Sequence, residues 1–118
     1  MKYLLFIMLL IPMSCFATSY QPLEEYQAEW CAKNGGKVDY VHEDGTSNVA
    51  CIKDQYVIYL AYASKWKEAI GQSLYYSVMT GKKPGVALIV PKTAEETKIL
   101  KNLKLVADKY NIRVWEIR

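Results

Sequence analysis

The sequence predicts a small α/β domain built on one mixed sheet, in the order helix, three strands, helix, strand, helix, strand. Three observations carry this expectation. Apolar residues recur at helical spacing in three separate segments, and runs of β-branched and aromatic residues bounded by turn formers lie between them. The last strand–helix–strand unit favours a right-handed crossover between parallel strands.

The first helix is expected from Pro22 to Asn34. Pro22 suits a first turn, Glu24 and Glu25 sit where the helix dipole favours acids, and Gly35-Gly36 ends the segment. Lys37 to His42 reads as a strand, with His42 on its solvent side. Glu43-Asp44-Gly45-Thr46 is a turn, and Ser47 to Lys53 the return strand of a hairpin. Asp54-Gln55 makes a second reversal into a third strand, Tyr56 to Tyr62. Ser64 is placed to cap a helix that runs to Thr80 and stops at Gly81. Its apolar face is read as Trp66, Ala69, Ile70, Leu74 and Val78, with Ser73 and Ser77 beside them. Lys82 to Gly85 is expected as a loop, and Val86 to Val90 as a strand covered on both faces. Thr93-Ala94-Glu95-Glu96 fits a capping box. The helix it opens buries Ile99, Leu100, Leu103, Val106, Ala107 and Tyr110, and Ile112 to Ile117 closes the domain as the last strand.

Ahead of these elements, Met1-Lys2 and an apolar run from Tyr3 to Met13 have the layout of a secretory signal peptide. The run is short for a span, which takes about 20 residues. Cys15 and Ala17 are the small side chains that a cut after Ala17 requires, so residues 1–17 are expected as the leader and 18–118 as a single domain. An uncleaved anchor is one alternative. Lipidation at Cys15 is another, although Pro12 and Met13 fit a lipobox poorly. The destination implied is the periplasm or the outside of the cell. The remaining chain shows no transmembrane segment.

The net charge of +3 is too small to announce a nucleic-acid binder by itself. Cys31 and Cys51 are left after the expected cut, and an exported pair is a disulfide candidate worth about 3 kcal/mol by loop entropy. Two buried free thiols are the alternative. With His42 the cysteines make no recognisable zinc spacing, and no cofactor is expected.

The segment Ala63 to Tyr76, with Gln72-Ser73-Leu74-Tyr75-Tyr76 inside it, resembles the helix after the catalytic strand of RecB-like nucleases, where a Gln-x-x-x-Tyr element is typical. Trp30-Cys31 with Gly35-Gly36, and Gly81 to Gly85 before an apolar strand, are similar to a small bacterial family of this kind. The chain thus resembles the PD-(D/E)XK nuclease superfamily over most of residues 18–118. The resemblance implies a restriction-endonuclease-like core. It also implies an acid on the second strand and an acid pair two residues apart on the third. Those groups hold Mg²⁺ and activate water. The matching positions here are Ala50, Tyr59 and Ala61, none of which binds a metal.

Lys65, Glu68, Gln72 and Tyr76 form one polar flank of the helix and are the candidate lining of a remnant cleft. Glu68 is the one acid that relocation could recruit. Asp54 is expected in a turn at the far end of the third strand, and Glu96-Thr97-Lys98 falls at a helix start. Gln72 and Tyr76 equally suit hydrogen bonds to the neighbouring strand. Tyr56, Tyr59, Tyr62, Tyr75 and Tyr76 are expected to cluster, either filling the hollow left by lost acids or offering stacking platforms. Lys65, Lys67, Lys82 and Lys83 read as solubilising residues or as phosphate contacts.

Three functions compete. The favoured one is an exported, catalytically inactive nuclease-like module that binds nucleic acid or a protein. The second is a nuclease with relocated carboxylates, which alone would need Mg²⁺. The third is a small periplasmic structural or interaction protein.

Overall fold

A computed structural model describes residues 22–41, 48–90 and 93–118. The leader reading of residues 1–17, His42 and the turn at 43–46 lie outside the described residues.

The elements are α1 (Leu23–Lys33), β1 (Lys37–Val41), β2 (Asn48–Lys53), β3 (Tyr56–Tyr62), a 3₁₀ turn (Ala63–Lys65), α2 (Trp66–Thr80), β4 (Lys83–Ile89), α3 (Ala94–Tyr110) and β5 (Arg113–Ile117). They make one five-stranded mixed sheet in the spatial order β1-β2-β3-β4-β5. The first three strands are an antiparallel meander, and β3, β4 and β5 run parallel. Parallel neighbours need a crossover, and α2 and α3 supply one each.

Alternation along the strands builds two cores. On one face Cys51, Ile58, Leu60, Ala87 and Ile117 pack under Leu23, Tyr26 and Trp30 of α1. On the other, Ala61, Val86 and Leu88 meet Ala69 of α2 and Leu100, Leu103 and Ala107 of α3. Cys31 and Cys51 are bonded, S–S 2.07 Å with Cα atoms 5.7 Å apart, which ties the last turn of α1 to the middle of β2.

Local signals explain the helix ends. Gly35 is left-handed at φ 77°, and the Gly36 N–H donates to the Cys31 carbonyl at 2.8 Å, closing α1 in a Schellman turn. The Gly36 position must be bare: a Cβ there would come within 2.7 Å of the Cys51 Sγ and 2.8 Å of the Cys31 Sγ. Asn111, at φ 55°, does the same for α3, with the Ile112 N–H on the Ala107 carbonyl.

Several expectations need correction. Ser64 does not cap α2. It lies exposed inside the 3₁₀ turn, and Lys65 occupies the N-cap position without a side-chain bond. The buried line of α2 is Ala69, Ser73 and Tyr76, while Val78 points to water. The serine is tolerated because its Oγ donates to the Ile70 carbonyl at 2.9 Å. Tyr110 is likewise exposed, because α3 ends there and the turn at Asn111 lets Ile112 take the buried place. β4 starts at Lys83, not Val86. The Lys83 N–H donates to the Gln55 carbonyl at 2.7 Å and draws Pro84 and Gly85 into register with β3. The missing N–H of Pro84 faces the side where β5 has not yet begun, since Arg113 pairs with Gly85, so no ladder bond is lost.

The cross-link yields a direct prediction. Replacing Cys31 and Cys51 together by alanine should lower unfolding stability by about 3 kcal/mol, measured by urea denaturation against the oxidised protein.

Candidate functional site

The candidate site follows from an interrupted ladder. β2 and β3 pair at Lys53–Tyr56, Ile52–Val57 and Cys51–Ile58, and their pairing stops there. β2 continues on β1 as far as Asn48, and β3 continues on β4 as far as Ile89. The β1–β2 hairpin therefore parts from the rest of the sheet, and a cavity of about 650 Å³ lies at the parting. Val49 lines it from β2, Tyr59 and Leu60 from β3, Leu23 from α1 and Tyr76 from α2. The Gln27 amide of α1 donates to the Val49 carbonyl at 3.3 Å and ties the helix to the hairpin.

The three positions matched to the nuclease acids share one sheet face. Ala50 is fully buried in a cluster with Val41, Val57 and Tyr76, and Ala61 is buried in the larger core under α2 and α3. Tyr59 packs against both clusters and so stands between the two alanines. Its ring meets Tyr76 edge-on at 5.7 Å and 76°.

Along the polar flank of α2, exposure falls from end to end. Lys65 and Glu68 are exposed, Gln72 is half-buried and Tyr76 is buried. Only the Tyr76 end reaches the cavity. Glu68 remains electrically relevant to it. Burial first, and the Glu68 charge second, raise the Tyr59 phenol above its ordinary value of 10.0. At neutral pH this hydroxyl is a neutral hydrogen-bonding group.

The charges lining the cavity, among the described residues, are the acids Glu24 and Asp39. The lysines read as phosphate contacts do not gather there. Lys65 and Lys67 flank the start of α2, Lys67 lying 5.5 Å from the Trp66 ring, while Lys82 and Lys83 follow its end. A helix of 15 residues separates the pairs, which is about 22 Å. Asp54 lies in the β2–β3 turn, at the closed end of the ladder.

The expected tyrosine cluster divides. Tyr75 and Tyr76 meet at 6.4 Å, tilted by 49°, on the Tyr59 side. Tyr56 belongs to the opposite face, where it meets Trp115 at 5.5 Å. Three residues separate Tyr56 from Tyr59, an odd step along a strand, so the two rings point apart. That second face carries Arg113 and Trp115, which the sequence reading did not single out. The Arg113 guanidinium lies 4.7 Å from the Trp115 ring and 5.3 Å from Tyr56, and Trp30 meets Trp115 at 6.1 Å. The available signal was the two-residue spacing of Arg113 and Trp115 on a strand.

No family model, characterised protein or solved structure matches this chain.

The raised Tyr59 group sets a sign for alkaline stability. The folded phenol holds its proton to higher pH than the unfolded one, so its contribution is intact below about pH 10 and is lost as pH rises through the folded value. Tyr59→Phe should flatten the alkaline decline in urea-unfolding stability. Glu68→Gln should move the Tyr59 titration back towards 10.0, read from the ring Cζ chemical shift.

Proposed function

We propose that the protein is an exported, catalytically inactive relative of the PD-(D/E)XK nucleases that serves as a binding module, with its ligand entering where β2 and β3 part. The observation that carries this reading is the chemistry of Ala50, Tyr59 and Ala61. Two methyl groups and a neutral phenol stand where the resemblance asks for carboxylates, and both alanines are buried in packed clusters. A hard divalent cation takes oxygen ligands in near-octahedral geometry, and these three residues do not fit one. Glu68 adds a single exposed carboxylate. Among the described residues no group of three His, Cys, Asp or Glu side chains gathers to hold a metal.

The mixed sheet with its antiparallel and parallel halves supports the finer fold reading, a restriction-endonuclease-like core in the order αβββαβαβ. The Cys31–Cys51 bond supports a periplasmic or secreted location, since such bonds persist in oxidising compartments. No helix among the described residues is long and apolar enough to cross a membrane. Glu24 and Asp39 at the cavity repel a phosphodiester, which favours a protein partner over nucleic acid at this cleft.

Supercoiled plasmid incubated with residues 18–118 and Mg²⁺ or Mn²⁺ should remain intact on a gel. Metal-dependent nicking that disappears in Glu68→Ala would overturn the proposal and favour the nuclease with a relocated acid. DNA affinity that falls steeply with salt would reassign the partner to nucleic acid.

A further inference from the structure

On the sheet face opposite Ala50, Tyr59 and Ala61, one arginine approaches the Tyr56 ring and two lysines are its neighbours in register. Lys53 of β2 and Lys83 of β4 are the cross-strand partners of Tyr56 on its two sides. Partners in register share a face, and adjacent strands lie about 4.8 Å apart, so the two lysine Cα atoms flank Tyr56 about 10 Å from one another. The third cation, Arg113, holds its guanidinium carbon 5.3 Å from that ring and 4.7 Å from the Trp115 ring. Trp115 is itself fitted against Gly85: a Cβ at that position would meet the indole Cζ3 at 2.7 Å.

Arg113 is exposed, and a guanidinium against aromatic rings keeps N–H donors able to bind oxyanions in a two-bond fork. The nearest acid on β5, Glu116, is engaged elsewhere, with Lys104 at 3.0 Å and Arg118 at 2.8 Å. Among the described residues, Lys53, Lys83 and Arg113 enter no ion pair, and Asp54 in the adjoining turn makes none with them. Lys83 and Arg113 are exposed and Lys53 is half-buried.

We propose that Arg113, Lys53 and Lys83, grouped about Tyr56, form a binding site for a phosphomonoester. A phosphomonoester carries roughly −1.5 to −2 charges at neutral pH and three free oxygens. It matches three cations better than a carboxylate or a phosphodiester, each of which carries one charge. This site does not rest on the nuclease resemblance and lies away from the cleft between β2 and β3.

NMR titration of the folded protein tests it, with phenyl phosphate, inorganic phosphate, dimethyl phosphate and acetate as probes at matched ionic strength. Phenyl phosphate and inorganic phosphate should give saturable shifts at the Tyr56, Lys83 and Arg113 amides and the Trp115 indole. Arg113→Gln should weaken phenyl phosphate about tenfold or more, and Lys67→Gln, on the other face, should leave it unchanged. Should Arg113→Gln fail to fold, the Lys53→Gln/Lys83→Gln double variant carries the same expectation. The assignment fails if no saturable shift appears at these residues. It fails equally if dimethyl phosphate or acetate binds as tightly as phenyl phosphate, or if the neutralised variant binds like the parent.

Discussion

Strand β3 has to satisfy two faces and two neighbours at once. Val57, Ile58, Leu60 and Ala61 are all buried, so neither face of this strand can carry an uncompensated polar group. It pairs with β4 along its whole length, from Tyr56 to Tyr62, but with β2 only from Tyr56 to Ile58. The parallel partner requires a crossover, and that crossover is α2, which settles over the same face as Ala61. The small residues Ala61, Ala63 and Ala69 let helix and strand approach closely. Ala61 is therefore part of the packing that holds α2 in place as well as a position without an acid. A lone carboxylate there would be desolvated among apolar neighbours. Both Ala50 and Ala61 are buried, and the cavity lies on the side of Tyr59 that faces the parted strands.

The two faces of the sheet are covered by different means. α2 and α3 together roof one face, while the single short helix α1 crosses the other. A lone helix buries limited apolar area, and a covalent tie compensates for that. The Cys31–Cys51 bond fixes the end of α1 to β2, and Gly36 supplies the bare backbone on which both sulfurs rest. Beside α1, Trp115 lies against Gly85, and Trp30 of α1 and Tyr56 meet it edge-on. Aromatic area continues the cover that the helix begins, and it leaves Arg113 stacked on top rather than buried.

Features decided within a few residues were legible in the sequence. Gly35-Gly36 and Gly81 stop their helices because a left-handed residue is needed there, and the Asp54-Gln55 reversal needs only two positions. The apolar run around Val86 to Leu88 announced a strand buried on both sides, and the cysteine pair announced its own bond. What escaped was decided by tertiary packing. Helical spacing alone could not choose between a buried line through Val78 and one through Tyr76, since both are consistent with a 3.6-residue period. Pro84 and Gly85 look like loop residues until β3 offers them a register. The parting of β2 from β3 has no local signature, because Ala50 and Tyr59 each belong to an ordinary strand pattern. Of the candidate cleft, Tyr76 reaches the cavity and Glu68 reaches Tyr59 by its charge, but Lys65 stays in solvent.

The modest net charge of +3 conceals a separation of signs. The cavity is bordered by Glu24 and Asp39, while Lys53, Lys83 and Arg113 gather about Tyr56 at the start of β3. At the β5 edge Glu116 is neutralised between Lys104 and Arg118, and charged side chains on an edge strand discourage pairing with another chain. Tyr59 stays neutral at the cavity, because burial first and the Glu68 charge second oppose its ionisation. The cavity thus offers a neutral phenol beside two acids, and the Tyr56 region offers three cations. The two places are kept apart along β3: the cavity opens beyond Ile58, where β2 no longer pairs, while the cations gather at Tyr56, which β2 and β4 still flank.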